Sequence, residues 1–437
     1  MSFTTDKQTL TDLNILGKYK VGSLFNLFNR VKTRGGELLL EEFFRSPLTN
    51  ADAINSRAAR IGYLRELDLR FSINPEMAEQ ASQYLSESRP ATPLSSFLGC
   101  FRDKAQETLY RSPAYYTQQK QVHAVQEILY AASDLLGQLI KKGRRDNPLQ
   151  EMQDELSVIV NAPALRQLKA KYPYSVQQTA QYQYLFRNKF RQELQRLLHV
   201  LYELDVYISV AEVAASKGLQ AAVAFQDSKI LITAEDLRHP SLSGAVGNDI
   251  SLRKEENLLF LTGANMAGKS TWMKTLGVSF YLAHMGFPVA AGNMSFRVME
   301  GIYTSINVPD DISQGWSHFY SEVMRVKLVA QDVSRGKKLF VLFDELFKGT
   351  NVKDAYDATL AVTQRLARYS SCAFVISTHI IEVGQELSDI DTIQFKYMPT
   401  VMDGAVPRYT YRLKEGITAD RQGMIIIENE GILEMIG

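Results

Sequence analysis

The stretch LLFLTGANMAGKSTWMK, residues 258–274, decides the fold. A short apolar run, LLFLT, enters a glycine-bounded loop, and the spacing after it becomes that of a helix. Gly263-Ala264-Asn265-Met266-Ala267-Gly268-Lys269-Ser270 matches the pattern GxxxxGK[ST] in full, with Thr271 next. The match counts because the context is right, a strand before the loop and a helix after it. Glycines let backbone N–H groups turn inward around phosphates, and the helix N-terminus adds positive potential. Lys269 is expected to reach the β- and γ-phosphates of a bound nucleoside triphosphate, and the Ser270 hydroxyl to ligate Mg2+.

Working outward, the chain from about residue 230 alternates short aliphatic runs with helical stretches. NLLFLTG precedes KSTWMKTLGVSFYLAHMG, KKLFVLFDE precedes DAYDATLAVTQRLARYS, and CAFVIST precedes HIIEVGQEL. This alternation predicts an α/β domain with a mostly parallel sheet and crossover helices. DTIQFKYM and RYTYRLKE follow as two more strands, expected to form a hairpin at the sheet edge. In LFVLFDE the apolar run ends in Asp344 and Glu345, which places two carboxylates at the C-terminal edge of a buried strand, where ligands bind. Asp344 suits a magnesium ion held through water. Glu345 suits the orienting and deprotonation of an attacking water, which points to hydrolysis. His379, closing CAFVISTH, is expected to sense a γ-phosphate by hydrogen bonding.

The first half of the chain reads as almost wholly helical. From Val176 to Lys217 there is no glycine or proline, Ser175 can cap the start and Gly218 the end. Leu194, Leu197, Leu201, Leu204 and Ile208 recur at helical steps. One continuous helix over that span would be a rod of roughly 60 Å, expected to project as an arm. A second helix, from about Thr117 to Lys142, could lie antiparallel to it. The domains are therefore drawn as a helical region over 1–229 and the α/β domain over 230–437. The 437 residues carry a net charge of +1, so nucleic acid is not gripped by bulk charge, and any DNA contact must be local. Cys100 and Cys372 stand far apart, which argues for reduced thiols and against a disulfide framework. No apolar run approaches a membrane span, and MSFTTDKQTL is not a signal peptide, so the chain reads as cytoplasmic.

Several motifs, in order, resemble the MutS family of DNA mismatch-repair ATPases. TGANMAGKSTWMK is similar to the family's TGPNMGGKSTYMR-type loop, FDELFKGTN to its DEIGRGTS-type segment, and DDISQGWSHFYSEV to the DDLxxGxSTFMxEM-type segment that crosses the family's dimer interface. LDVYISVAEVA, RHPSL and the stretch from TLTDLNILGKYK to EEFFRSPL also resemble it. The resemblance implies a P-loop (ABC-type) ATPase domain joined to helical core and lever elements. It further implies ATP and Mg2+ as cofactors, a homodimer with composite sites, DNA as a partner and possible repair proteins as others. Ser317 and His318 would reach the γ-phosphate of the partner subunit, Asn265 would position phosphate and water, and His379 matches the switch histidine. GITADRQGMIIIENEGIL resembles a short dimerising C-terminal segment. The chain departs from the family in three ways. No stretch of the given sequence resembles the family's wedge-bearing mismatch-binding domain or its connector, and the 35 or so residues after Gly143 are expected to be too few for a full clamp. His318 replaces a threonine. Ala245 stands where the family often has an adenine-stacking aromatic, with Tyr411 the candidate substitute. Two functions follow, a MutS-like ATPase coupled to mismatched or structured DNA, and an ATP-switched scaffold that binds proteins. KKGRRDN (141–147) and the tyrosine-rich YPYSVQQTAQYQY (172–184) discriminate: lying together they favour DNA, packed into a core they favour the scaffold.

Overall fold

The computed structural model describes residues 2–17, 22–67, 69–87, 92–264, 266–306, 318–403, 406–418 and 432–436, with the backbone alone at 318, 402, 403, 406, 407 and 432. The chain divides into two compact units. One comprises Met1–Leu27, Phe44–Ala58 and Ser216–Gly437, the other Phe28–Phe43 and Ala59–Ala215. A single boundary near 229 therefore does not describe it, because two N-terminal segments join the sheet-bearing unit. Hydrogen bonds across most of the sequence hold them there. Thr4 pairs with the strand edge at Gly301. Asp6, which caps the helix Lys7–Asp12, takes the Arg325 guanidinium. The Asp12 carboxylate accepts the Thr304 hydroxyl at 2.7 Å and the Ile306 N–H at 3.0 Å.

Among the described residues twelve strands lie in this unit: β1 Val223–Phe225, β2 Ile230–Leu237, β3 Asn248–Arg253, β4 Leu258–Gly263, β5 Asn293–Arg297, β6 Gly301–Ser305, β7 Leu339–Asp344, β8 Ala373–Ser377, β9 Ile393–Met398, β10 Thr400–Asp403, β11 Val406–Tyr409 and β12 Lys414–Glu415. The principal sheet has the order β12-β9-β4-β8-β7-β6. From β9 to β6 every pairing is parallel. The runs expected as strands are β4, β7 and β8, and they are buried along their length, as parallel strands covered on both faces must be. At the far edge β12 returns antiparallel along β9, Lys414 opposite Tyr397. The expected hairpin is thus divided: β10 and β11 pair with each other in a separate two-stranded sheet, between β9 and β12 in sequence. A second sheet, β1-β5-β2-β3, is mostly antiparallel.

In the helical unit, the helix Ala114–Lys142 packs against Pro75–Ser86, Pro93–Tyr110, Gln150–Val160 and Val176–Tyr184. Ser175 forms a capping box with Gln178, and Gly218 takes φ +67° just past Lys217. The continuous rod is not observed. A π-helical turn at Leu185–Lys189 and a bend at Phe190 separate Val176–Tyr184 from Arg191–Lys217. The Phe190 N–H reaches Leu185 O at 2.8 Å. The widened turn buries both Leu185 and Phe186 and leaves the Arg187 guanidinium 4.0 Å above the Tyr84 ring. Such packing outweighs an unbroken α-helical ladder.

The tyrosine-rich stretch packs inward. Tyr174 and Tyr182 are buried, Tyr174 hydrogen-bonds Gln126, and Tyr172 stacks on His123 with ring centres 4.8 Å apart. Lys141 begins the basic run at the other end of the same helix, roughly 27 Å along its axis from His123. The two stretches do not meet. Among the described residues no helix is long and apolar enough to cross a membrane, and both cysteines are buried free thiols.

His284 ends the helix Lys269–His284 in the core, between the rings of Phe3, Phe280 and Phe296. Its Nδ1–H donates to Phe280 O and its Nε2 accepts the Met299 N–H. Burial pushes its pKa down to about 4. The unfolded chain binds this proton near pH 6.5, so protonation favours unfolding. The contribution is complete above about pH 6.5 and is lost on the way down to pH 4, by about 3 kcal/mol in all. Urea unfolding at pH 7.5 and 4.5 should show the wild type losing more stability than His284→Gln. Equal losses would remove His284 as the cause.

Candidate functional site

Register builds the site. Ser377 of β8 stands opposite Leu261 of β4 on one side and Asp344 of β7 on the other. Three C-terminal strand ends therefore lie abreast, carrying the glycine-rich loop, His379, and the Asp344-Glu345 pair. The Glu345 N–H donates to Ser377 O at 2.8 Å and the Thr378 N–H to Leu261 O at 3.2 Å, which locks the ends together.

The loop after β4 bends through positive φ at Gly263, Met266 and Gly268. At Gly268 a Cβ would lie 2.9 Å from Cδ1 of Tyr411, so a bare backbone is needed for that ring to approach. Lys269 is only 5% exposed. Its Nζ donates to Gly263 O at 2.8 Å and Ala264 O at 3.0 Å. Burial lowers its pKa, and the Asp344 and Glu345 carboxylates oppose that.

Burial pushes the Asp344 carboxyl up, while the nearby hydroxyls of Ser270 and Ser377 draw it back. Neither Asp344 Oδ1 nor Ser377 Oγ, both buried, completes a hydrogen bond among the described residues. Glu345 has φ +51°. Its carboxylate meets His379 Nδ1 at 3.7 Å and Lys348 Nζ at 3.2 Å. His379 and then Lys348 hold the carboxyl down to about 2, against the effect of burial. Phe347, also at positive φ, packs edge-on to Phe319, and a Cβ on Gly349 would strike the Phe319 backbone at 2.8 Å. The loop after Asp344 therefore touches the start of the helix His318–Ser334.

Beside the loop lies a cavity of about 290 Å³, walled by Leu237, His239, Ala245, Asn248, Thr271, Trp272, Met398 and Tyr411 among others. It is near the lower size limit of small-molecule sites. His239 Nδ1 accepts the Ser241 N–H at 3.2 Å, and burial lowers its pKa. The neutral ring then carries its proton on Nε2.

The structure thus brings together Gly263, Ala264, Met266, Ala267, Gly268, Lys269, Ser270 and Thr271 with Asp344, Glu345, His379 and Tyr411. Asn265, Ser317 and the His318 side chain lie outside the described residues, as does most of GITADRQGMIIIENEGIL. Sequence reasoning missed Lys348, His239 and Asn248. Lys348 sits inside the quoted FDELFKGTN and His239 inside RHPSL, and Asn248 lies three residues after Ala245. Nothing local marks their partners.

The site is a glycine-rich loop, a buried lysine and carboxylates at the C-terminal edge of a mostly parallel sheet in an α/β domain. The family model of MutS domain III matches residues 8–211, and that of MutS domain V matches residues 259–436. The chain belongs to the MutS family. It is 27% identical over 254 residues to the DNA mismatch repair protein MutS of Streptococcus sanguinis, covering 57% of this chain and 29% of that protein. It is also 27% identical to the proteins of that name from Petrotoga mobilis, over 56% of this chain and 30% of the relative, and Clostridioides difficile, over 54% and 23%. The matched part is therefore less than a third of each of these relatives.

Gly268→Ala should cost about 1–3 kcal/mol, since it combines a strained φ with a collision at Tyr411. Denaturant unfolding checks this. An unchanged midpoint would contradict the close approach.

Proposed function

We propose that this chain is a P-loop ATPase of the MutS type, which binds ATP with Mg2+, hydrolyses it in composite sites of a homodimer, and couples the cycle to DNA. The observation that carries the reading is the convergence of Lys269, Asp344, Glu345 and His379 on three adjacent strand ends.

Lys269 would exchange the loop carbonyls it now binds for β- and γ-phosphate oxygens. Magnesium, when bound, would supply charge neutralisation at the phosphates. Ser270 and Asp344 would hold it, since Asp344 has a buried oxygen without a partner among the described residues. Glu345 would take the proton of the attacking water. A carboxylate held near 2 is a feeble base, so Lys348 and His379 must first release it, and His379 is then free to bond the γ-phosphate. Asn265 would assist at the loop. Ser317 and His318 of a second copy would complete the γ-phosphate site, and Tyr411 would stack on adenine where Ala245 is too small to do so.

One observation favours a second reading. The tyrosine-rich stretch is packed away from the basic run, as suits an ATP-switched scaffold that binds protein partners.

Lys269→Ala should weaken ATP binding by about a hundredfold or more. Glu345→Ala should bind ATP, stop turning it over, and gain dimer mass with ATP–Mg2+. Normal turnover in Glu345→Ala would remove the assigned base. A salt titration with duplex, mismatched and branched DNA separates the two readings. Salt-sensitive, ATP-dependent binding supports the DNA-coupled ATPase, and its absence with every DNA supports the scaffold.

A further inference from the structure

Tyr411 holds an improbable backbone conformation. Its φ is +56°, a region that L-residues with bulky side chains rarely enter. The ring lies against Gly268, walls the cavity beside the loop, and remains 47% exposed. An exposed aromatic in the loop between β11 and β12 would ordinarily relax to an unstrained φ and swing away. Something must keep it there.

Asn248, the first residue of β3 and only 7% exposed, supplies the restraint. Its Nδ2–H donates to Tyr411 O at 2.9 Å, and its Oδ1 accepts the Leu413 N–H at 2.7 Å. One carboxamide thus grips the backbone immediately after the strained residue, on either side of Arg412. Asn248 itself walls the same cavity. Only a side chain with a donor and an acceptor on one carbon can make both bonds. Aspartate loses the donor, and alanine loses both.

We propose that Asn248 is the positioning residue of the nucleobase platform: by bridging Tyr411 O and the Leu413 N–H it holds the Tyr411 ring over Gly268, where a purine bound in the cavity stacks on it. The inference rests on the nucleotide-binding reading above. It separates the site into a phosphate half, centred on Lys269, and a base half, whose order depends on one amide.

The test titrates the full chain with ATP, and separately with inorganic tripolyphosphate, in Mg2+ by calorimetry. Asn248→Ala should weaken ATP about tenfold, the worth of two net hydrogen bonds, and leave tripolyphosphate unchanged. Tyr411→Ala should do the same. The double variant should be no weaker than Tyr411→Ala alone, because the amide acts only through the ring. Asn248→Asp, which keeps the bond from Leu413, should fall between wild type and Asn248→Ala. It carries the comparison should Asn248→Ala fail to fold. Losses that multiply in the double variant, or equal losses for ATP and tripolyphosphate, overturn the positioning role. So does normal ATP binding by Asn248→Ala or Asn248→Asp when Tyr411→Ala is impaired. Normal ATP binding by Tyr411→Ala would instead sink the platform itself.

Discussion

The in-register pairing of β4, β8 and β7 through Ser377 is the constraint on which the site depends. Parallel strands present their C-terminal ends at one edge of a sheet. A one-residue slip would move every side chain of a strand to the opposite face. Because β8 stands between the other two, the carboxylate pair lies one strand away from the glycine-rich loop. Long side chains, Lys269 from one side and His379 from the middle, cover that distance. The bonds from the Glu345 N–H to Ser377 O and from the Thr378 N–H to Leu261 O secure this register at the strand ends.

At that edge the backbone is bent where bending is costly. Met266, Glu345, Phe347 and Tyr411 all take positive φ, at about 1–3 kcal/mol for each strained residue. Each lies in a loop at the site, and for three of them the structure shows what opposes the strain. The Glu345 N–H bonds Ser377, Phe347 is buried against Phe319, and Asn248 ties the Tyr411 carbonyl to the Leu413 N–H. Phe347 is notable because the family's DEIGRGTS-type loop has glycine there. Here a buried aromatic contact with the helix His318–Ser334 takes the place of conformational freedom.

Much of this was legible in the chain. The loop at 263–270, the strands β4, β7 and β8, the Ser175 cap and the Gly218 stop are local patterns, read from neighbours a few residues apart. What escaped depends on partners far off in sequence. Nothing near Asp6 announces Arg325, and nothing near Asn248 announces Leu413. The N-terminal segments therefore went to the wrong unit, and the base side of the site lacked its restraint. The interrupted helix was hidden for a related reason. Val176–Lys217 has uniform helical character, and the π turn at Leu185–Lys189 follows from burial of Leu185 and Phe186 rather than from any helix-breaking residue.

If the joined strand ends form one nucleotide-hydrolysing centre, as proposed, a crystal structure of the chain with a non-hydrolysable ATP analogue and Mg2+ will show it. The γ-phosphate should then lie within hydrogen-bonding reach of Lys269 and His379, the metal beside Ser270 and Asp344, and the adenine against Tyr411. A nucleotide bound elsewhere, or a Glu345 still held by Lys348 beneath the bound γ-phosphate, would contradict it.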